Sequence, residues 1–302
     1  MRSSSPSRAD RSNAGRTAIA LCFGVTCHVC FTLGVGAMMV SMFFGMSRSL
    51  GTLQAPWSWI ANAALLIQFP LSHSALLTSR GRRVLARLVP RGTGATLATT
   101  TYVTVAALQL LALFALWSPT GTVWWRAHGA ALAALVGLYA TSWVLLAKSM
   151  SDAGLALQTG SLGWTALLRG RKPVYPAMPQ RGLFRLTRQP IYVTFALTLW
   201  TVPTWTPDQL VIAVALTAYC LLAPLLKEAR FRRIYGAKFE EYARNVPYWL
   251  PYPRALAKLA RMHTVTYGSA RPAEFASAGW VASSSRTRSS VVLRTSAGEV
   301  MQ

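Results

Sequence analysis

Long apolar runs without charge constrain this chain most. Six stretches, roughly 17–44, 57–78, 97–118, 124–147, 190–205 and 207–226, carry almost no ionisable groups. Most of them reach the ~20 apolar residues that a helix needs to cross a bilayer. Of the 302 residues, 53% are hydrophobic and only 13% charged, about half the charged share of an ordinary soluble domain. The expected architecture is all-α: a polytopic membrane protein of about six transmembrane helices with a cytosolic C-terminal helical segment. The fifth stretch is short and turns into the sixth through Thr206, Pro207 and Asp208, which predicts a tight hairpin.

The charge that exists is one-sided. The formal net charge is +23, and all but Arg48 and Arg126 of the 31 lysines and arginines fall on one side of the six-span topology. The positive-inside rule assigns that side to the cytosol, with both termini there, as in a bacterial inner membrane. The basic excess is thereby explained by topology and by attraction to anionic lipid headgroups. A nucleic-acid partner is not expected, because neither a basic groove nor patterned aromatics accompany the charge. The lipid bilayer is the expected partner. The first run is too long for a signal-peptide core and lacks a small-residue cleavage site, so it reads as an anchor.

Four cysteines, Cys22, Cys27, Cys30 and Cys220, all lie in the apolar runs, and no disulfide framework is implied. Cys27-His28-Val29-Cys30 has metal-like letters but lacks further ligands, and no metal site is expected there.

Residues 1–16 are Ser/Arg-rich and read as a disordered tail, 17–258 as the membrane domain, and 259–302, without apolar periodicity, as a second disordered tail. The loop 148–189 is too long for a mere connector and is expected to be partly ordered against the membrane face. Residues 227–246 read as a cytosolic helix. Phe231, Tyr235, Phe239 and Tyr242 would share one face of it, and Gly236 would kink it.

The motifs concentrate between Arg181 and Pro251. Arg188-Gln189-Pro190-Ile191-Tyr192 opens the hairpin. Lys227-Glu228 and Tyr235-Gly236 close it, and Phe239, Tyr242, Val246-Pro247 and Pro251 follow. These spacings resemble the isoprenylcysteine carboxyl methyltransferase and phospholipid methyltransferase superfamily. That superfamily carries Arg-His-Pro-x-Tyr-x-Gly before a helical hairpin, then Glu-Glu, Phe-Gly, two tyrosines and Val-Pro-x-x-x-Pro. Ser72-His73-Ser74, followed by Arg80 to Arg83, resembles the Gln-His-Ser element of the bacterial methanethiol S-methyltransferases and their NnrU-like relatives. Three positions depart from the superfamily pattern: Gln189 for histidine, Thr194 for glycine and Lys227 for the first glutamate.

The resemblance implies a membrane methyltransferase that uses S-adenosylmethionine. Its methyl acceptor would be a small or lipophilic nucleophile, with a thiol as the leading choice. It places Arg188, Gln189, Pro190, Tyr192, Glu228, Tyr235 and Tyr242 around the cofactor, and His73 and Ser74 on the substrate side. The chemistry is coherent with those residue types. Arg188 would clamp a carboxylate bidentately and Glu228 would accept from ribose hydroxyls or the ammonium. Tyrosine rings would face the sulfonium. Basic groups would lower a thiol's pKa.

Blander readings stand beside these. Arg188 and Lys227 also suit helix ends at a membrane surface, the aromatic stripe suits packing, and His73 suits a bond between helices. Two rival functions remain: an NnrU-like accessory protein without catalysis, and an NADPH-dependent reductase of the steroid 5-alpha-reductase group. Against the second, Val193-Thr194-Phe195 follows Tyr192 where that group has Phe-Gly-Glu.

Overall fold

The computed structural model describes residues 8–250. Pro251 and the proposed tail from Leu259 lie outside the described residues. Ten helices and one two-residue strand pair make up the regular α and β structure within them.

Four helices are long and apolar enough to cross a membrane: α1 (Arg8–Phe43) from Asn13 onward, α4 (Gly94–Ala115), α5 (Gly129–Asp152) and α9 (Pro207–Tyr235). α2 (Trp57–Leu76) passes only together with α3 (Ser79–Arg87), which turns away from it by 96°. The count by length and composition among the described residues is therefore four, or five with the bent pair, and six is not confirmed. The remaining apolar helix, α8 (Pro190–Trp200), has 11 residues, about 16 Å at 1.5 Å per residue. Its leg is lengthened by residues 201–206, which run non-helically to the Thr206 cap of α9. The hairpin pairs a half-length helix and an irregular arm with one full-length helix.

Sequence signals set these boundaries. Pro190 and Pro207 occupy first-turn positions of α8 and α9, where a missing N–H costs nothing. The Thr206 hydroxyl caps α9 by accepting from the Gln209 amide at 3.0 Å. The Thr78 hydroxyl caps α3 by accepting from Gly81 N. α1 begins at Arg8, so residues 8–16, expected in a disordered tail, are helical.

Beyond α5 the chain forms two short helices, α6 (Leu155–Gln158) and α7 (Ser161–Leu168), and later a 3₁₀ turn, Gly182–Arg185. The long loop thus folds onto the bundle. The Thr100 hydroxyl of α4 donates to Gly160 O and accepts from Trp164 N.

The helix expected over 227–246 is divided differently. α9 continues unbroken from the apolar run to Tyr235, and α10 (Ala237–Asn245) follows after Gly236. Gly236 has φ 51° and ψ −127°, a conformation that a Cβ disfavours.

α1 packs extensively against α4. A Cβ on Gly34 would sit 2.6 Å from the Ala107 carbonyl oxygen, so the small residue permits the approach. The main core gathers Met38, Met42, Phe114, Leu199, Ile212 and Leu216. At the end away from the arginine-rich loops, polar residues close the bundle. The buried Asp208 carboxylate accepts from Trp117 Nε1 at 2.9 Å and from the Thr120 hydroxyl at 2.7 Å. Asn62 exchanges two bonds with the Ser118 backbone. There too the strands Trp125–Arg126 (β1) and Thr204–Trp205 (β2) pair antiparallel. These bonds satisfy groups that hydrocarbon could not.

Candidate active site

At the arginine-rich end the start of α8, the end of α9 and the segment after α10 converge. Glu228, 3% exposed, stands at the centre. Its Oε1 accepts from Arg188 Nε at 2.8 Å and from Gln189 Nε2 at 2.8 Å, and Arg232 approaches Oε2 at 3.5 Å. The Arg188 guanidinium also donates to the carbonyls of Ala243 and Val246, at 2.6 and 3.3 Å. The Arg188 amide donates to Pro247 O at 2.9 Å, and the Thr187 hydroxyl to Tyr248 O at 3.1 Å. The Arg188, Glu228 and Val246-Pro247 spacings therefore encode one brace, which ties the C-terminal segment to the root of the hairpin.

Tyr242 belongs to the same brace. Its hydroxyl donates to Phe184 O at 2.7 Å. Burial pushes its pKa well above the ordinary tyrosine value, so the donor stays protonated. The aromatic stripe packs on itself across the Gly236 break, with Phe231–Tyr235 and Phe231–Phe239 centroids 5.4 and 6.1 Å apart.

Gln189 hands the brace on to Lys227. The Gln189 carbonyl oxygen accepts from Lys227 Nζ at 3.0 Å, so the amide links carboxylate to ammonium. Three rings surround Nζ: Tyr192, Phe231 and Phe184, with centroids at 5.6, 5.6 and 5.8 Å. Such faces attract a cation. Lys227, at first sight a departure from the superfamily pattern, is a held cation.

Two cavities meet at this lysine. One, of about 450 Å³, is a vestibule with Arg82, Arg230, Arg233 and Ser74 in its wall. The other, of about 620 Å³, is a chamber among the apolar helices, with Phe69, Tyr102, Leu110 and Phe195 in its wall. Both are lined by His73, Leu77, Tyr192, Tyr219 and Lys227. His73 Nε2 is 2.7 Å from the Tyr102 hydroxyl, which also reaches His73 O at 3.4 Å. His73 Nδ1 and Arg230 Nε are buried without a hydrogen-bond partner.

Of the residues singled out in the sequence, His73, Ser74 and Tyr192 line a cavity. Arg188, Gln189, Glu228 and Tyr242 stand behind it as the brace. Pro190 starts α8 and the Tyr235 ring meets Phe231 edge to face. Sequence reasoning named Arg82 only within the Arg80 to Arg83 stretch and missed Arg230, Arg233, Tyr102 and Tyr219. A helical spacing signal did exist, since Lys227, Arg230 and Ile234 recur at three and four residues and all line the vestibule. In the Cys27-His28-Val29-Cys30 stretch, His28 Nε2 accepts from Trp164 Nε1 at 3.2 Å and Cys27 donates to Thr159 O.

The fold and the site are those of a helical membrane protein with an apolar chamber joined to a cationic vestibule. Comparison with known proteins specifies the class. The chain is 31% identical over 203 residues to the methanethiol S-methyltransferase of a Pseudomonas species, covering 65% of this chain and 74% of that one. It is 28% identical over 192 residues to methanethiol S-methyltransferase 2 of Bradyrhizobium diazoefficiens, covering 64% and 73%. It is 26% identical over 249 residues to the enzyme of that name from Crocosphaera subtropica, covering 77% and 91%. No family model matches the chain, and no solved structure does. The chain belongs to the methanethiol S-methyltransferase family, a family of membrane methyltransferases.

Proposed function

We propose that this protein methylates a thiol with S-adenosylmethionine, at the junction where vestibule and chamber meet. The observation that carries the reading is the shared lining of the two cavities, with one held cation, Lys227, between them. The names of the relatives supply the thiol.

The vestibule fits the methyl donor. Its arginines match a carboxylate, and the unpartnered Arg230 Nε is a donor waiting for an acceptor. The Tyr192 and Tyr219 rings suit a sulfonium better than the arginines do. Bound there, S-adenosylmethionine would supply an electrophilic methyl group. Lys227 would stabilise a thiolate at the junction, offsetting the penalty that an apolar chamber puts on a charged sulfur. His73 would take the thiol proton. With Nε2 donating to Tyr102 and the Tyr102 hydroxyl turned to His73 O, Nδ1 is left as the acceptor. Arg188, Glu228 and Gln189 would act through Lys227 by fixing its position.

The arginine-rich end would face the cytosol of a bacterial inner membrane, which opens the vestibule to the compartment that holds the donor. The test uses full-length protein in lipid nanodiscs with methyl-labelled S-adenosylmethionine and methanethiol. Labelled dimethyl sulfide is the expected product. Absence of product together with absence of S-adenosylhomocysteine binding would favour a non-catalytic accessory role instead.

A further inference from the structure

The chamber is larger than methanethiol requires, and its wall is not closed. Methanethiol has two heavy atoms and takes the space of about two waters, roughly 60 Å³. The chamber has about 620 Å³, within the size range that encloses drug-sized ligands. The donor has its own space in the vestibule, and the largely apolar chamber wall suits none of its charged groups.

Three chamber residues keep a large exposed surface: Met39 at 38%, Leu155 at 51% and Val144 at 67%. A residue that lines a cavity and also faces outward marks a mouth. α1 and α5 are fastened near the end away from the arginines, where the Tyr139 hydroxyl donates to Met39 O at 2.7 Å and Phe43 meets the Tyr139 ring at 5.7 Å. Towards the arginine-rich end both helices line the chamber, α1 through Phe31 and Val35 and α5 through Val144, Ala147 and Met150. The mouth therefore opens sideways, at a depth where the surroundings are hydrocarbon.

We propose that the chamber takes alkyl thiols with a chain of several carbons, delivered laterally from the bilayer between α1 and α5, in preference to methanethiol. This rests on the thiol-methylation reading and names the substrate class for it. The sulfur would reach the junction at Lys227 while the chain fills the chamber, each added methylene leaving a less favourable surrounding only if the wall closes on it. In the transfer, the thiol sulfur gains a bond to the methyl carbon as the donor's sulfonium–methyl bond breaks. A neutral thioether is left with that electron pair, and the thiol proton passes to His73 Nδ1.

The test compares octanethiol with methanethiol in nanodiscs, for the parent protein and for Val144→Trp, which places a bulky ring at the mouth on a lipid-facing position. Binding of octyl methyl sulfide, the expected product, is followed separately by native mass spectrometry. In the parent, kcat/KM for octanethiol should exceed that for methanethiol by about tenfold or more. Val144→Trp should lower the octanethiol-to-methanethiol ratio of kcat/KM about tenfold and keep the melting temperature. Methylation of methanethiol with octanethiol unused, or a Val144→Trp effect equal on both thiols, overturns the proposal. If neither thiol is methylated, the functional reading fails. Octyl methyl sulfide bound by the parent and lost in Val144→Trp would then still uphold the lateral chamber, and no binding would overturn it.

Discussion

Lys227 is the residue on which the site turns. Its ammonium is held by one amide oxygen and three rings, and none of its ion pairs with a carboxylate falls within 4 Å among the described residues. Lys227→Met keeps the stem among the rings and removes the charge. We expect methyl transfer to fall ~100-fold, the usual scale for losing one preorganised charge-stabilising donor. The melting temperature should change little, because an apolar side chain in this cage costs no buried charge. Equal loss of activity and stability would make Lys227 a structural residue. Glu228 predicts the opposite pattern. It accepts from Arg188 and Gln189 inside the protein, so Glu228→Gln leaves Arg188 buried without its counter-charge. The expected loss is ~3 kcal/mol of stability, read as a lower denaturation midpoint in detergent. An unchanged midpoint with lost S-adenosylhomocysteine binding would instead return Glu228 to the donor's site. Arg230→Leu should weaken S-adenosylhomocysteine binding ~10- to 100-fold, the worth of one charge-assisted bond, as measured by calorimetry.

At the scale of elements, the brace depends on the turn between α9 and α10. Gly236 combines φ 51° and ψ −127°, and no atom lies within 4 Å of where its Cβ would be. Gly236→Ala therefore tests backbone strain without a clash, and ~1–3 kcal/mol is expected. The loss should appear as faster proteolysis within 236–250 and weaker S-adenosylhomocysteine binding. Gly137→Ala is the control: it too has open space around its Cβ but lies inside α5 at an ordinary φ. There the substitution should be neutral or mildly stabilising. Identical behaviour of the two variants would remove the turn from the argument. The hairpin also shows why the fifth span was hard to delimit. The apolar run of 190–205 is continuous in sequence, but the helix ends at Trp200 and Thr204–Trp205 pair with Trp125–Arg126. Hydropathy records depth in the membrane, not whether the backbone there is helical.

For the whole molecule, the orientation in the bilayer is the quantity to test. Arg181 and the loop around it should be inaccessible from outside intact cells, while a cysteine placed at Thr122, in the loop between α4 and α5, should label. Labelling near Arg181 would put the vestibule in the wrong compartment for a cytosolic methyl donor. The membrane character, the one-sided charge and the motif cluster were legible in the sequence, because each is a property of composition or of spacing along one segment. His73, Ser74 and Tyr192 were singled out through the family resemblance, and they line the cavities. Which partners the motif residues take was not legible. Arg188 and Glu228 are 40 positions apart and look like ligands for a substrate, yet they bind each other. The cation between the two cavities is instead Lys227, which looked like a defect in the pattern. Only the tertiary structure could decide this, since in a medium with little water a charged group takes whichever partner the packing of distant helices brings within ~3 Å, and that distance is not written in any one stretch of chain.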